Sequence, residues 1–350
     1  MRAIVTGDFH LERMESLIQD FDTSLYYKTY DKIVKYAENK GINRIFILGD
    51  VFHTPFPDSS SLIQFLSYWN KYEWLKVYVI LGNHDFSKNK KHAFDIATFF
   101  NTEMGVPKNI KIFSEPEIKK FDGIRVCLLP HPNTKAPKTK MPKIVFGHFP
   151  VKGALGDNGY KLKTGESLKT GKDFWFLGDL HQNQDWKKIS YPGSPYQLSF
   201  GESLPKGFLD IDVDLKKDKK NQYKLDVDKK WIKLNPEYKL ETIKIHEEDD
   251  IDNIEFKSDT YYKVFVKQGV QLPEDFLNNK RIVNTPGFSN NKELSSLEEN
   301  SIPLEDQKTL FLGPTYRLKD YLIGEKNLKP KDARTGKKVV RNIVNIINKN

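Results

Sequence analysis

The sequence predicts a layered α/β protein, and three observations support this fold class. Strand-like apolar runs alternate with helix-like segments over about the first 200 residues. Five of those runs end in glycine followed by Asp, Asn or His. After residue 204, strand-like pieces follow one another without an equivalent alternation of helices. We therefore expect an α/β domain at residues 1–204 and a smaller β-rich α+β domain at residues 205–312.

The elements of the first domain can be assigned in order along the chain. Strands are predicted at residues 2–6, 44–48, 76–81, 110–113, 124–129, 143–146 and 173–177. Helices are predicted at residues 24–40, 59–72 and 92–102, and Gly41 is expected to end the first of them. A stretch rich in Gly and Lys, residues 151–172, reads as a loop or hairpin between the last two strands.

Residues 313–350 form a third region, a basic tail. It holds ten Lys and Arg against three acids, a net charge of +7. A charged linker there precedes an apolar helical stripe formed by Val339, Val340, Ile343, Ile346 and Ile347. This apolar stripe would either pack on its own domain or dock in a groove of a partner protein. We favour docking.

Composition narrows the class of protein. With 38% hydrophobic and 29% charged residues, the chain has the balance of a folded soluble protein. Its net charge of +9 favours an anionic partner, nucleic acid before a membrane, although excess lysine is also typical of a solvated surface. The single cysteine, Cys127, excludes an internal disulfide and fits a reducing compartment. With no signal peptide and no membrane-length apolar run, we expect a cytoplasmic protein.

The five strand–glycine phrases place polar side chains at one edge of the predicted sheet. They read IVTGDFH at 4–10, FILGDVFH at 46–53, VILGNHD at 79–85, VFGHF at 145–149 and FLGDLHQN at 176–183. Ligands of open α/β sheets gather outside the carboxyl ends of the strands, and glycine permits a sharp turn there. The side chains delivered are Asp8, His10, Asp50, His53, Asn83, His84, His148, Asp179 and His181.

This set of oxygen and imidazole ligands predicts a pair of divalent metals. It contains no sulfur and suits Mn²⁺, Fe²⁺ or Zn²⁺ in an open site. One ion cannot use all the ligands, whereas two ions that share a carboxylate can. Such pairs, about 3.5–4 Å apart, activate water as hydroxide for in-line attack at phosphorus. A single Gly-Asp turn or a lone buried histidine would have a plain structural explanation, but five phrases in order favour a metal site.

The motifs GDFH, GDVFH, GNHD, GHF and GDLH resemble those of the calcineurin-like metallophosphoesterase family, over residues 4–181. The resemblance implies an α/β-β/α sandwich with two divalent metals, Mn²⁺ before Mg²⁺, Fe²⁺ or Zn²⁺. It implies one ion held by Asp8, His10, Asp50 and His181. The second ion would be held by Asp50, Asn83, His148 and residue 179.

The same resemblance assigns roles to the other polar residues. His84 would be the acid or transition-state histidine, His53 would orient the phosphate, and Asp85 would orient His84 from behind. The departure is Asp179, where the family pattern has histidine. A carboxylate still suits a hard ion such as Mn²⁺, so we expect ligation. The alternative is that Asp179 points away and the second metal site is weak.

The run YPGSPYQLSFGE at 191–202 resembles the SbcD-type branch of DNA-repair nucleases, including versions carried by bacteriophages. That resemblance implies a DNA nuclease of a recombination and repair complex, an exonuclease on ends and an endonuclease on single strands. It implies that residues 205–312 cap the site on DNA, and that the tail binds an SbcC-type coiled-coil ATPase. It also implies a homodimer, for which residues 61–72 and 93–100 are candidate helices, although both apolar stripes fit the core of their own subunit equally well.

Two other functions stay open from the residues alone. In the first, the chain would be another metallophosphoesterase, such as a phosphoprotein phosphatase or a cyclic phosphodiesterase. In the second, it would be a DNA-end-binding scaffold whose second metal site is impaired by Asp179. Residues 129–172 carry nine lysines against two acids, which would suit a phosphate backbone or a solvated loop equally well. No individual DNA-binding residue is assigned. Four polar residues are left outside the site: His92, His131, His246, and Asp157 in its GDNG turn.

Overall fold

The computed structural model describes residues 1–89, 91–95, 106–157, 159–202, 205–247, 249–267, 270, 272–277 and 279–283. The chain divides into compact units at residues 1–289 and 290–350. The second unit contains the predicted tail and lies outside the described residues. Most of the predicted helix at 92–102 and of the dimer candidate at 93–100 lies outside them too.

Strands dominate the described part of the chain. They are β1 (Arg2–Thr6), β2 (Arg44–Leu48), β3 (Lys76–Ile80), β4 (Ile110–Phe113), β5 (Glu117–Phe121), β6 (Ile124–Leu129), β7 (Ile144–His148), β8 (Phe174–Gly178), β9 (Gln184–Trp186), β10 (Ile189–Tyr191), β11 (Lys206–Lys217), β12 (Tyr223–Leu234), β13 (Lys239–Ile245) and β14 (Thr260–Val266). Four helices lie wholly within the described residues, namely α1 (Ser24–Lys40), α2 (Ser59–Asn70), α3 (Asp249–Asp252) and α4 (Glu274–Leu277). Each is too short or too polar to span a membrane.

Two six-stranded sheets form the body of the first unit. One has the order β12-β11-β1-β2-β3-β4, and the other β5-β6-β7-β8-β10-β9. Strands β1 to β4 are parallel, and so are β6 to β8. All strands that end in the five phrases therefore belong to parallel parts of the two sheets. Apart from the helix at 92–102, which lies mostly outside the described residues, the strand and helix positions predicted for the first domain are confirmed to within about two residues.

Alternation of side chains along the strands builds the layers. In β2, Phe46 and Leu48 belong to a core that also contains Phe146 and Phe176 of the second sheet. Ile45 and the other residues of the opposite face join a different core. Successive side chains of a strand point to opposite faces, so the first core fills the space between the sheets. The predicted sandwich is confirmed.

Helices cover the outer face of the first sheet. Tyr30 and Ile33 of α1, with Phe65 and Trp69 of α2, are buried in the core that contains the outward residues of β2 and β3. Gly41 ends α1 as predicted, in the left-handed conformation at φ 64°, and its N–H bonds to carbonyls of the last turn. On the outer face of the second sheet, strand residues such as Val145 and Leu177 share a core with Phe149, Val151 and Ala154 of the loop that follows β7.

The segment after residue 204 begins inside the first sheet. Strand β11 pairs with β1 in antiparallel register and with β12 as a long hairpin. Strands β13 and β14 form a separate parallel pair with a small core of their own. The division of the chain at residues 204 and 312 stays a prediction, with β11 and β12 attached to the sheet of the first domain.

Cys127 provides a test of the core of the second sheet. Its side chain is fully buried, and burial raises the pKa of the thiol to about 11. We therefore expect thiol reagents to label the folded protein very slowly at about pH 8, because roughly one thiol in a thousand is ionised there.

A Ser167→Cys variant, at an exposed loop position, serves as the matched control. Its added thiol should react at once, while Cys127 should react only after denaturation. Equal labelling rates for the two thiols in the native protein would contradict the buried position of Cys127.

Candidate metal centre

The five phrases meet at the carboxyl ends of β1, β2, β3, β7 and β8. The His10 ring lies 4.7 Å from the His84 ring and 5.2 Å from the His181 ring, measured between centroids. The Nε2 atom of His148 lies 3.3 Å from Oδ1 of Asp50. Side chains from phrases about 170 residues apart are thus brought together as predicted.

The backbone at these positions is shaped for the site. Asp8, His10, Asp50 and Asp179 all have left-handed φ values, of 53°, 44°, 50° and 92°. Such values are uncommon outside glycine and collect at functional sites, where the surrounding fold holds them. The amides of Asp8 and His10 bond to the carbonyls of Gly49 and Asp50, at 3.0 and 2.9 Å. The first two phrases therefore hold each other in this conformation.

Glycines leave room for the ligands. A Cβ added to Gly82 would overlap Oδ1 of Asp50, and one added to Gly178 would lie 2.7 Å from Nδ1 of His148. Side chains at these places would displace the predicted ligands. The sequence motif thus requires glycine for space as well as for the turn.

The first ligand group lies around His10. Asp8, His10 and His181 each offer an atom within 4.8 Å of the others. Oδ2 of Asp50 lies 3.3 Å from Nε2 of His10. Within the described part of the chain, Oδ2 of Asp8 and both ring nitrogens of His10 are buried without a hydrogen-bond partner. Buried polar atoms normally have partners, so this group fits a bound cation.

The second ligand group lies around His148. Its Nδ1 donates to the carbonyl oxygen of Leu48 at 2.6 Å. Its Nε2 then faces Oδ1 of Asn83 at 2.9 Å, with Asp50 at 3.3 Å. A neutral ring has no second proton, so a proton or a cation at Nε2 would account for its closeness to these oxygens. Burial lowers the pKa of His148, but Asp50 and its neighbours raise it well above the usual value. A divalent ion fits the same place.

Asp179 faces the second group. Its Oδ1 lies 3.8 Å from Nε2 of His148, and its amide donates to Oδ1 of Asp8 at 2.9 Å. The carboxylate is therefore turned towards the site and not away from it. It lies farther from His148 than Asn83 and Asp50 do, and its role as a ligand stays a prediction.

The carboxylates of the site differ in the direction of their pKa shifts. Burial raises the pKa of Asp8 to about 7, and burial with nearby Asp50 raises that of Asp85 to about 7. Burial also disfavours charge on Asp50, but His148 and His10 outweigh it, so the pKa of Asp50 lies below its usual value. Asp50 is thus the carboxylate best suited to stay ionised between two cations.

Asp85 has different partners from those predicted. Its carboxylate accepts the amide protons of Gly82 at 2.8 Å and Phe52 at 3.1 Å. It thereby joins the second and third phrases through their backbones. The His84 ring is held instead by the carbonyl oxygen of His53, to which its Nδ1 donates at 3.0 Å. Asp85 therefore acts on the position of His84 through the backbone, because the aspartate directly follows the histidine.

Two acidic residues that the sequence analysis left outside the site hold His181. Nδ1 of His181 lies 2.8 Å from Oδ2 of Asp157 and 3.0 Å from Oε1 of Glu202. Glu202 is buried and also contacts Nζ of Lys206 at 2.5 Å. Burial raises the pKa of Glu202, but His181 and Lys206 outweigh it and lower it to about 2. A carboxylate on Nδ1 leaves Nε2 of His181 for a metal.

The remaining histidines stay outside the ligand groups. His92 pairs with Asp95 at 3.2 Å, and His246 is exposed. His131 is half-buried, and its amide donates to the carbonyl of Leu81.

Glu202→Gln tests the contact to His181. The amide keeps the size of the side chain but removes the charge that orients the imidazole. We expect the affinity for the more tightly bound Mn²⁺ to fall about 10- to 100-fold, as measured by calorimetric titration. Glu166→Gln, on a neighbouring loop, is the control and should bind Mn²⁺ like the wild type. An unchanged Mn²⁺ affinity in Glu202→Gln would show that the contact does not orient a ligand.

Comparisons with known proteins identify the family of the chain. The sequence profile described as calcineurin-like phosphoesterase matches residues 1–183. Uncharacterized protein R555 of Acanthamoeba polyphaga mimivirus is 27% identical over 222 residues, which are 57% of this chain and 16% of that protein. A crystal structure of Chaetomium thermophilum Vps29 matches 67% of this chain and 100% of its own at 12% identity and a TM-score of 0.28, too low to carry an argument. On the profile match, which covers more than half of its residues, the chain belongs to the calcineurin-like phosphoesterase family of metal-dependent hydrolases.

Proposed function

We propose that this phosphoesterase is a DNA nuclease, the SbcD-type subunit of a recombination and repair complex, with exonuclease activity on ends and endonuclease activity on single strands. One observation carries the proposal: the run at 191–202 that resembles the SbcD branch lies against the candidate metal centre. The amide of Ser194 donates to the carbonyl of His181 at 3.1 Å, and Glu202 contacts the ring of the same histidine. The run that resembles the SbcD branch therefore contacts a predicted metal ligand directly.

The charge of the chain also favours a polyanionic substrate. Of the nine lysines in residues 129–172, eight are exposed, and only Lys143 is buried, against Asp173 at 2.6 Å. These residues bracket His148 along the chain. Exposed lysines neutralise backbone phosphates without reading sequence, so binding should weaken steeply with salt.

The residues divide the chemistry among them. Asp8, His10, Asp50 and His181 would hold one ion, and Asp50, Asn83, His148 and Asp179 the other. The two ions, when bound, would activate a water molecule and neutralise charge on the phosphoryl oxygens, with Mn²⁺ the preferred metal. Asp50 belongs to both sets because its Oδ2 faces His10 while its Oδ1 faces His148.

His84 is suited to give a proton to the leaving oxygen. Its Nδ1 donates to the carbonyl of His53, so Nε2 is the ring nitrogen left to face the leaving oxygen. The amide of His84 donates to Oδ1 of Asp50 at 2.9 Å, which fixes the histidine beside the predicted metal ligands.

The proposal extends to partners. Residues 205–312 would cap the site on DNA, and the tail at 313–350 would bind an SbcC-type coiled-coil ATPase, in the cytoplasm. A homodimer through the helices of the phosphoesterase domain is also proposed. Most of the α2 stripe, including Phe65 and Trp69, is buried in its own core, while Ile63 is 51% exposed. Ile63 is therefore the α2 side chain best placed to contact a second subunit.

His84→Ala tests the catalytic part of the proposal. Manganese-supplied wild-type protein should cleave labelled oligonucleotides, both single strands and duplex ends, with or without an added ATPase partner. The variant should lose a factor of about 10² to 10⁴ in kcat, the usual range for one acid–base residue. Its affinity for the oligonucleotide, measured by fluorescence anisotropy, should stay unchanged.

The exposed His246 provides the control, since His246→Ala should cleave at the wild-type rate. Two outcomes count against the proposal. Wild-type protein that binds DNA but never cuts it would be a scaffold. Protein that hydrolyses a phosphopeptide or a cyclic nucleotide, yet no oligonucleotide, would be another phosphoesterase of the family.

A further inference from the structure

Arg13 is a cation beside the candidate metal centre to which no role has been given. It follows the first motif by three residues and is half-buried. Its Nη1 donates to Nε2 of His53 at 3.3 Å, and its Nε donates to the carbonyl of Leu198 at 3.3 Å. No carboxylate among the described residues forms an ion pair with the guanidinium, and its Nη2 has no hydrogen bond to any of them.

The contact with Arg13 sets the tautomer of His53. A guanidinium only donates, so Nε2 of His53 must accept and the ring proton must lie on Nδ1. This Nδ1 is buried and has no partner in the described part of the chain. His53 therefore presents an N–H that an incoming oxygen can satisfy.

The His53 ring lies at the reaction site, where His10, His53 and His84 each offer a ring nitrogen within 4.8 Å of the others. Its ring stacks on the His84 ring, 5.3 Å away with an interplanar angle of 19°, and lies 5.7 Å from the His10 ring. Arg13 therefore contacts a histidine whose ring packs against both His84, the predicted acid, and His10, a predicted metal ligand. The charge of Glu202 acts on Arg13, but the two do not form an ion pair. Carboxylate and phosphate oxygens are the anions that the planar fork of a guanidinium matches best.

We propose that Arg13 binds a non-bridging oxygen of the nucleic-acid phosphodiester at the metal centre and holds His53 as a second donor to the same phosphate. The choice of a nucleic acid rests on the proposed function. The phosphate contact rests on the geometry of Arg13 alone. Arg13 would then act on substrate affinity, whereas His84 acts on the chemical step.

Kinetics of Arg13→Ala and Arg13→Lys test the proposal, with Arg125→Ala as the matched control. Arg125 is also half-buried but lies near the amino end of β6, at the sheet edge opposite to the site. Arg13→Ala should raise both the KM for a labelled oligonucleotide and the inhibition constant of inorganic phosphate about tenfold. Arg13→Lys should fall between, because lysine keeps the charge but not the fork. Arg125→Ala should behave as the wild type.

Two further readouts separate substrate binding from a structural role. Bound Mn²⁺ per chain and the melting temperature should not change in Arg13→Ala. The slope of log affinity against log salt concentration for oligonucleotide binding should become shallower by the amount expected for about one phosphate contact. Should Arg13→Ala fail to fold, Arg13→Met, which keeps the apolar stem, takes its place in the same assays.

An unchanged KM and an unchanged phosphate inhibition constant in the alanine or methionine variant overturn the proposal. Loss of bound Mn²⁺ while the KM and the phosphate inhibition constant stay unchanged overturns it as well, because Arg13 would then have a structural role and would not bind the substrate. A wild-type chain that hydrolyses a small aryl diester but no oligonucleotide overturns the nucleic-acid assignment. In that case the inhibition constant of inorganic phosphate alone decides whether Arg13 binds phosphate.

Discussion

The hydrogen bond from Nδ1 of His148 to the carbonyl of Leu48 joins the two sheets at the site. His148 ends β7 in one sheet, and Leu48 ends β2 in the other. The bond turns Nε2 towards Asp50 and Asn83, so the orientation of one imidazole places ligands from both sheets around a common point. Gly178 leaves the space that this ring occupies.

The site was predictable because its signal is local and repeated. Each phrase couples a buried strand to a glycine and a polar residue, and parallel strands present these residues at their carboxyl ends. The alternation of side chains along each strand therefore predicts which of them fill the core, and the position of the glycine predicts where each strand ends. The left-handed φ of Asp8 and Asp50 could not be read from the residue types, because aspartate enters that region more often than most residues but still adopts other conformations far more often.

The supporting contacts were harder to predict because they join residues that are distant along the chain or carry weak local signals. Glu202 follows His181 by 21 residues, and the short strands β9 and β10 and a loop lie between them. Asp157 follows a glycine as the ligands do, but it lacks the preceding strand that marked them. Only the fold shows that Arg13 lies next to His53, 40 residues later. The pairing of β11 with β1 was missed for the same reason, since a strand in the second half of the chain carries no mark of its partner.

A pair of divalent ions is the direct consequence of two ligand groups that share Asp50. A crystal soaked in Mn²⁺ and measured at the manganese absorption edge tests this most directly. Two anomalous peaks per chain are predicted, one beside His10 and one beside His148, with the carboxylate of Asp179 in contact with the second. The absence of any peak among Asp8, Asp50 and His148 under saturating Mn²⁺ would contradict the metal centre itself.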